Sequence, residues 1–205
     1  MAYNNFLLRL IFGSIFTVFI FVIIIFYDTY LSYLVLLIYS IILIEVSLFF
    51  TKKKIIIILY IFLSFLSLEY YLINSYNKID IIYLILLIIF FDTFSYIFGS
   101  LFGNKKIIPN ISPNKTYFGC FSGYFISIIL TYIILSYYKN YELLNYLFIS
   151  SLLILLAFIG DIIESYFKRK SNIKNSSFFL PGHGGFFDRL DSLILCAFLM
   201  PFIVL

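Results

Sequence analysis

The sequence predicts an all-α, polytopic integral membrane protein with about seven transmembrane helices and a cytoplasmic N-terminus. Three observations carry that prediction. Of the 205 residues, 63% are hydrophobic and only 12% are charged, about half the charged share of a soluble domain. The apolar runs approach or exceed the ~20 residues that a spanning helix needs. With a cytoplasmic N-terminus, twelve of the fourteen Lys and Arg fall on one side of the membrane, the side that basic residues near helix ends favour.

Seven apolar segments can be drawn, at about 6–27, 30–50, 55–73, 79–99, 117–138, 143–164 and 188–205. The first is too long for the apolar region of a signal peptide and lacks a small-residue cleavage site. The last is short and starts with charges. Cytoplasmic segments then hold Arg9, Lys52–Lys54, Lys105, Lys106, Lys115, Lys168–Lys170, Lys174 and Arg189, whereas Lys78 and Lys139 fall on the other face. Residues 1–205 read as a single membrane domain. Its N-terminal spans, 1–78, are generic in their hydrophobicity. The remainder, 79–205, carries two polar cytoplasmic loops at 99–116 and 166–187. The basic residues sit in short loops between spans, which argues against nucleic-acid binding. They set topology and suit anionic lipid head groups. Cys120 and Cys196 lie in apolar segments far apart, so neither a metal spacing nor a disulfide framework follows.

The stretch from Gly160 to Asp191 breaks the hydrocarbon pattern. It holds four acids, five basic residues and the single histidine. Ionisable groups next to lipid cost on the order of 3 kcal/mol each, so such a cluster marks a functional site. Asp161, Glu164, Ser165 and Lys168 recur at intervals of three or four and share one stripe of a helix. Asp188 and Asp191 share a face at the start of the next apolar segment. If the two helices pack side by side, Asp161, Ser165, Asp188 and Asp191 converge as an oxygen-only set, which favours Mg2+ over Zn2+. Lys168, Arg169 and Lys174 can hold phosphate oxygens. Gly182, Gly184 and Gly185 permit close approach of backbone to a ligand, and the helix start at Asp188 favours anions. Together these features point to phosphoryl or nucleotidyl transfer, which needs charge neutralisation and alignment.

Ser165-Tyr-Phe-Lys-Arg169, Lys174, Ser177, Leu180-Pro-Gly-His-Gly-Gly-Phe186 and Asp188-Arg-Leu-Asp191 resemble the signature of the CDP-diglyceride synthetases, the phosphatidate cytidylyltransferases. A second block, Asp92-Thr-Phe-Ser-Tyr96, Gly99, Phe102-Gly103, Lys105, Ile111-Ser-Pro-Asn-Lys-Thr116 and Gly119, is similar to that family's other cytoplasmic block. The resemblance covers roughly residues 90–200. Asn175, Phe118 and Ser100 depart from the residues usual in the family, and the chain is short for it.

The resemblance implies that CTP and phosphatidate condense to CDP-diacylglycerol and pyrophosphate at the cytoplasmic face of the cell's inner (plasma) membrane. It implies Mg2+ held by Asp161, Ser165, Asp188 and Asp191. A second cation such as K+, and assembly as a homodimer, stay open. Lys168, Arg169, Lys174 and Arg189 would meet phosphates, with a second grip from Lys115, Ser112 and Thr116. Asp92 adds an acid or orients a lysine. His183 orients a phosphate or assists the pyrophosphate. Two other readings compete. One is a CTP-dependent lipid-alcohol kinase, which would release CDP. The other is a transporter gated by the intramembrane acids Glu45 and Glu69. An inactive member of the family is a further possibility.

Overall fold

The structure is a computed structural model and describes residues 18–138, 142–180 and 184–203. Residues 18–26 are helical (α1). After a 3-10 turn at Asp28–Tyr30 come α2 (Leu31–Phe49), α3 (Lys54–Asn74) and α4 (Lys78–Phe102). Strands β1 (Lys106–Ile108) and β2 (Ser112–Thr116) follow, then α5 (Tyr117–Leu135) and α6 (Leu143–Lys170). Finally α7 (Phe187–Cys196) runs on into a 3-10 helix at Ala197–Phe202.

Among the described residues, five helices, α2 to α6, are long and apolar enough to cross a membrane. Their continuous Ile, Leu and Phe runs make helices because lipid offers no partner to a bare backbone amide. The outward faces remain apolar, with Leu36, Ile55 and Ile73 more than half exposed. The chain is an integral membrane protein.

Three boundaries differ from the sequence expectation. The segment at 188–205 is a helix of ten residues followed by six of 3-10 helix containing Pro201, short of the ~20 residues of a span. Most of the segment at 6–27 lies outside the described residues. Helix α6 continues to Lys170, so Lys168, Arg169 and Lys170 form its last turn. Two effects extend it. Lys168 pairs with Glu164 one turn back at 2.8 Å, and basic groups complement the helix C-terminus. The loop expected at 99–116 likewise starts late, because α4 reaches Phe102, and it contains an antiparallel hairpin pairing Lys106 with Thr116 and Ile108 with Ser112.

Small residues let α4 and α5 pack closely. A Cβ on Gly119 would meet Gly99 Cα at 2.9 Å, and one on Gly123 would meet the Phe91 carbonyl at 2.8 Å. Backbones approach this closely only where side chains are absent, as in membrane helix pairs generally. Buried hydroxyls tie other helices together. Tyr83 meets Ser150 at 2.7 Å, Tyr146 meets Thr131 at 2.5 Å, and Tyr39 meets Ser64 at 2.7 Å. Ser64 in turn donates to the Ile194 carbonyl at 2.6 Å, docking α7 on α3.

The polar loops gather at one end. Lys52 N–H reaches Ser171 Oγ at 3.5 Å, Lys53 Nζ donates to the Tyr166 hydroxyl at 3.1 Å, and Arg169 Nε donates to the Ile111 carbonyl at 3.4 Å. The α2–α3 turn, the hairpin and the end of α6 therefore share a face. Replacing Gly123 by Leu should force α4 and α5 apart and cost about 2 kcal/mol, as overpacking typically does. A lowered thermal midpoint of the detergent-purified protein checks this.

Candidate active site

The site forms where α7 crosses the end of α6. Gly160 makes the crossing possible, since a Cβ there would meet the Asp191 carbonyl at 2.6 Å and Ser192 Cα at 3.2 Å. One turn of α6 then presents Asp161 and Glu164 to Asp191 on α7. Carboxylate oxygens of these three residues lie within 4.8 Å of one another. Ser165, one turn along from Asp161, donates to its Oδ1 at 3.3 Å.

Asp188 sits one turn before Asp191 and is bound on several sides. Lys168 Nζ lies 2.9 Å from its Oδ1, while the amides of Ser176 and Gly185 donate to Oδ2 at 2.9 and 3.0 Å. Burial raises the Asp188 carboxyl. The adjoining Glu164 carboxyl, the Lys168 ammonium and the Gly185 amide outweigh this and hold it at about 2. It is therefore ionised at neutral pH. These bonds fold the loop after α6 back onto α7. The loop's neck is closed by Leu180 N–H donating to the Gly184 carbonyl at 2.8 Å. Gly184 adopts φ +86°, a value that side-chain-bearing residues avoid.

Lys115 joins this acid cluster to the other polar block. Its Nζ lies 2.7 Å from Asp161 Oδ2, and its ammonium stands 4.3 Å over the Phe158 ring. The residue belongs to β2, so the hairpin delivers it. Beside this ion pair is a cavity of about 270 Å³ whose lining includes Asp92, Ser95, Tyr96, Ser112, Asn114, Lys115, Thr116, Cys120 and Asp161. It falls just below the ~300–1,000 Å³ of small-molecule sites.

The structure thus brings Asp92, Ser112, Lys115, Thr116 and Asp161 to one cavity, with Ser165 and Asp191 adjoining Asp161. Lys168 and Asp188 pair beside Glu164. Arg169 and Lys174 are exposed. Gly184 and Gly185 pack on Asp188. Arg189 is exposed and borders a different, apolar cavity of about 360 Å³ between α1, α2, α3, α4 and α7. Gly182 and His183 lie outside the described residues. Glu164 received no site role from the sequence, although its place on the Asp161 stripe was the signal for one. Ser95, Tyr96, Asn114 and Cys120 were also missed, and only the fold joins them. Glu45 and Glu69 do not line the polar cavity. Glu69 accepts from Ser32 at 2.7 Å, and Glu45 from the Phe186 amide at 2.9 Å.

Asp92, Asp161, Glu164, Asp188 and Asp191 outnumber Lys115 and Lys168 here. Glu164 Oε1 is buried without a hydrogen-bond partner. Burial, then the carboxylates of Asp161 and Asp92, push Asp191 well above the ordinary carboxylate range. Crowded carboxyls of this kind share a proton or a cation. The oxygen-only donor set of Asp161, Glu164 and Asp191 fits a hard divalent ion.

The model of the cytidylyltransferase family matches residues 50–205. The chain belongs to the cytidylyltransferase family. It is 40% identical over 143 residues to a phosphatidate cytidylyltransferase of Rickettsia prowazekii, covering 66% of this chain and 60% of that one. Identity to the protein of the same description from Rickettsia conorii is 41% over 117 residues, 53% of this chain and 50% of that one. For the one from Staphylococcus aureus it is 40% over 123 residues, 59% and 46%. The chain spans about half the length of the curated relatives it matches. Both polar blocks of the site fall inside the family match.

Removing Asp188 takes from Lys168 one of its two carboxylate partners and frees the amides of Ser176 and Gly185. Asp188→Ala should cost about 3 kcal/mol, the scale for breaking one side of a buried ion pair. Faster amide exchange across the loop that follows α6 is the measurement that checks it.

Proposed function

We propose that this chain transfers the cytidylyl group of CTP to phosphatidate, giving CDP-diacylglycerol and pyrophosphate in phospholipid biosynthesis. The Lys115–Asp161 ion pair at 2.7 Å carries this reading. It unites an anion-binding hairpin with an acid cluster at the end of a membrane bundle. The described relatives, all phosphatidate cytidylyltransferases, support the same reaction.

Asp161, Glu164 and Asp191 would hold Mg2+, with Ser165 and Asp188 beside them. When bound, such an ion neutralises phosphate charge and aligns the reacting groups. Lys115, with Ser112 and Thr116 of the same strand, grips oxygens of the triphosphate. Arg169 and Lys174 meet phosphates from the exposed side. Lys168 is already bound to Glu164 and Asp188, so its part is to neutralise and fix these acids. The phosphate of phosphatidate is ionised at neutral pH and needs no general base. Its oxygen attacks the α-phosphorus of CTP, the bond to the β-phosphate oxygen breaks, and pyrophosphate leaves. The apolar cavity bordered by Arg189, Leu190 and Leu193 suits an acyl chain.

The polar end faces the cytoplasm in this reading, and the membrane is the cell's plasma membrane. Twelve of the fourteen basic residues fall on the segments assigned to that side. A soluble polyanion and a membrane lipid can both reach such an end. Helices α2 to α6 supply five spans, and α7 enters from the cytoplasmic side as a half-span.

The test is release of pyrophosphate from CTP by the purified protein. It should require both phosphatidate and Mg2+, and CDP should not appear. Asp161→Ala and Glu164→Gln should each lower turnover by about 10²-fold or more, the scale for losing a preorganised charge contact. Lys115→Ala should raise KM for CTP by about tenfold, one charge-assisted contact's worth. Phosphatidate-independent hydrolysis of CTP, or release of CDP, would overturn the assignment.

A further inference from the structure

Glu45 is on α2, outside residues 50–205 that match the family, and it does not line the polar cavity. It is nevertheless fully buried, a costly position for a carboxyl group unless it is bound. The backbone amides that bind it lie far along the chain. Oε2 accepts the amide N–H of Phe186 at 2.9 Å and that of Phe187 at 3.5 Å. These are amides at the start of α7, where no turn of helix precedes them to supply acceptors. Phe186 itself offers them no side-chain cap. On its other oxygen Glu45 faces Gly185. A Cβ at Gly185 would collide with Glu45 Oε1 and Ser176 Oγ, so glycine is needed there because the carboxylate fills the space.

The first turn of α7 is therefore gripped from two sides. From α6, Lys168 holds Asp188 at 2.9 Å. From α2, Glu45 holds the backbone just ahead of it. We infer that Glu45 is a positioning residue, which fixes the start of α7 and so aims Asp188 and Asp191 at the acids of α6. The inference rests on the reaction and site proposed above.

Length and charge at position 45 can be separated. Asp keeps the charge but is shorter by one carbon–carbon bond, about 1.5 Å, which takes the 2.9 Å contact out of hydrogen-bond range. Gln keeps the reach and one acceptor oxygen but loses the charge. The experiment compares wild type, Glu45→Asp and Glu45→Gln as purified full chains. It reads amide exchange at Phe186 and Phe187, together with kcat and KM for CTP at saturating phosphatidate and Mg2+, per folded molecule. Glu45→Asp is expected to speed exchange of these amides about tenfold or more, as loss of a local hydrogen bond does. Its kcat should fall about 10²-fold, the effect of roughly an ångström of misplacement, with KM for CTP within about threefold. Glu45→Gln should recover both readouts to within about threefold of wild type. A Glu45→Asp protein with wild-type exchange and kcat overturns the inference. So does a Gln variant worse than the Asp variant, since charge and not reach would then be what α7 requires. Lower yield or melting temperature with unchanged kcat also overturns it, because the role would then be structural alone. If Glu45→Asp does not fold, Gly185→Ala displaces the same carboxylate, and unchanged exchange and kcat in that protein sink the idea. If wild type converts no CTP, the proposed reaction fails, while the exchange comparison still judges Glu45.

Discussion

Carboxylates at the end of an apolar helix bundle must be met by positive charge or by hydrogen-bond donors, and the architecture around α6 and α7 follows from that demand. Asp161 is met by Lys115. Glu164 and Asp188 share Lys168. Asp188 also takes two loop amides. Each contact recruits a different element, so satisfying the acids assembles the site. The β1–β2 hairpin, the loop after α6 and the start of α7 are all held by bonds to a carboxylate or to its lysine partner.

The second constraint is distance. Acids on neighbouring helices act together only if the helices come close. Gly160 provides that where α7 crosses α6, and Gly119 and Gly123 provide it where α5 packs on α4. The α4–α5 contact matters as much as the crossing, because it fixes the walls of the polar cavity into which Asp92 and Lys115 project. Packing and electrostatics cooperate here. Small residues bring backbones together, and charged groups decide what happens in the space between them.

Much of this was legible in the sequence, for physical reasons that particular residues make clear. The spans α2 to α6 were readable because lipid solvent demands long unbroken apolar runs, and such runs have few other outcomes. Asp161, Asp188 and Asp191 stood out because charge is rare in such runs, and Ser165 because it lies one helical turn from Asp161. The end of α6 was misread because Lys168, Arg169 and Lys170 look like a loop, whereas the Glu164–Lys168 pair and the helix dipole carry the helix through them. The C-terminal segment was read as a span on hydrophobicity alone, which cannot register a helix of ten residues passing into 3-10 geometry. The hairpin was hidden by the brevity of its strands. Glu45 could not be assigned, since its partners lie 141 and 142 positions away and are backbone amides that leave no mark on the sequence.

The first half of the chain reads as generic hydrocarbon, yet two of its polar side chains reach α7: Glu45 through the Phe186 amide and Ser64 through the Ile194 carbonyl. Mutational drift toward Ile, Leu and Phe can therefore run unevenly through these helices. Outward positions such as Leu36 and Ile55 can trade one oily side chain for another without penalty. Substitution at Glu45 or Ser64 would instead be felt at the opposite end of the polypeptide.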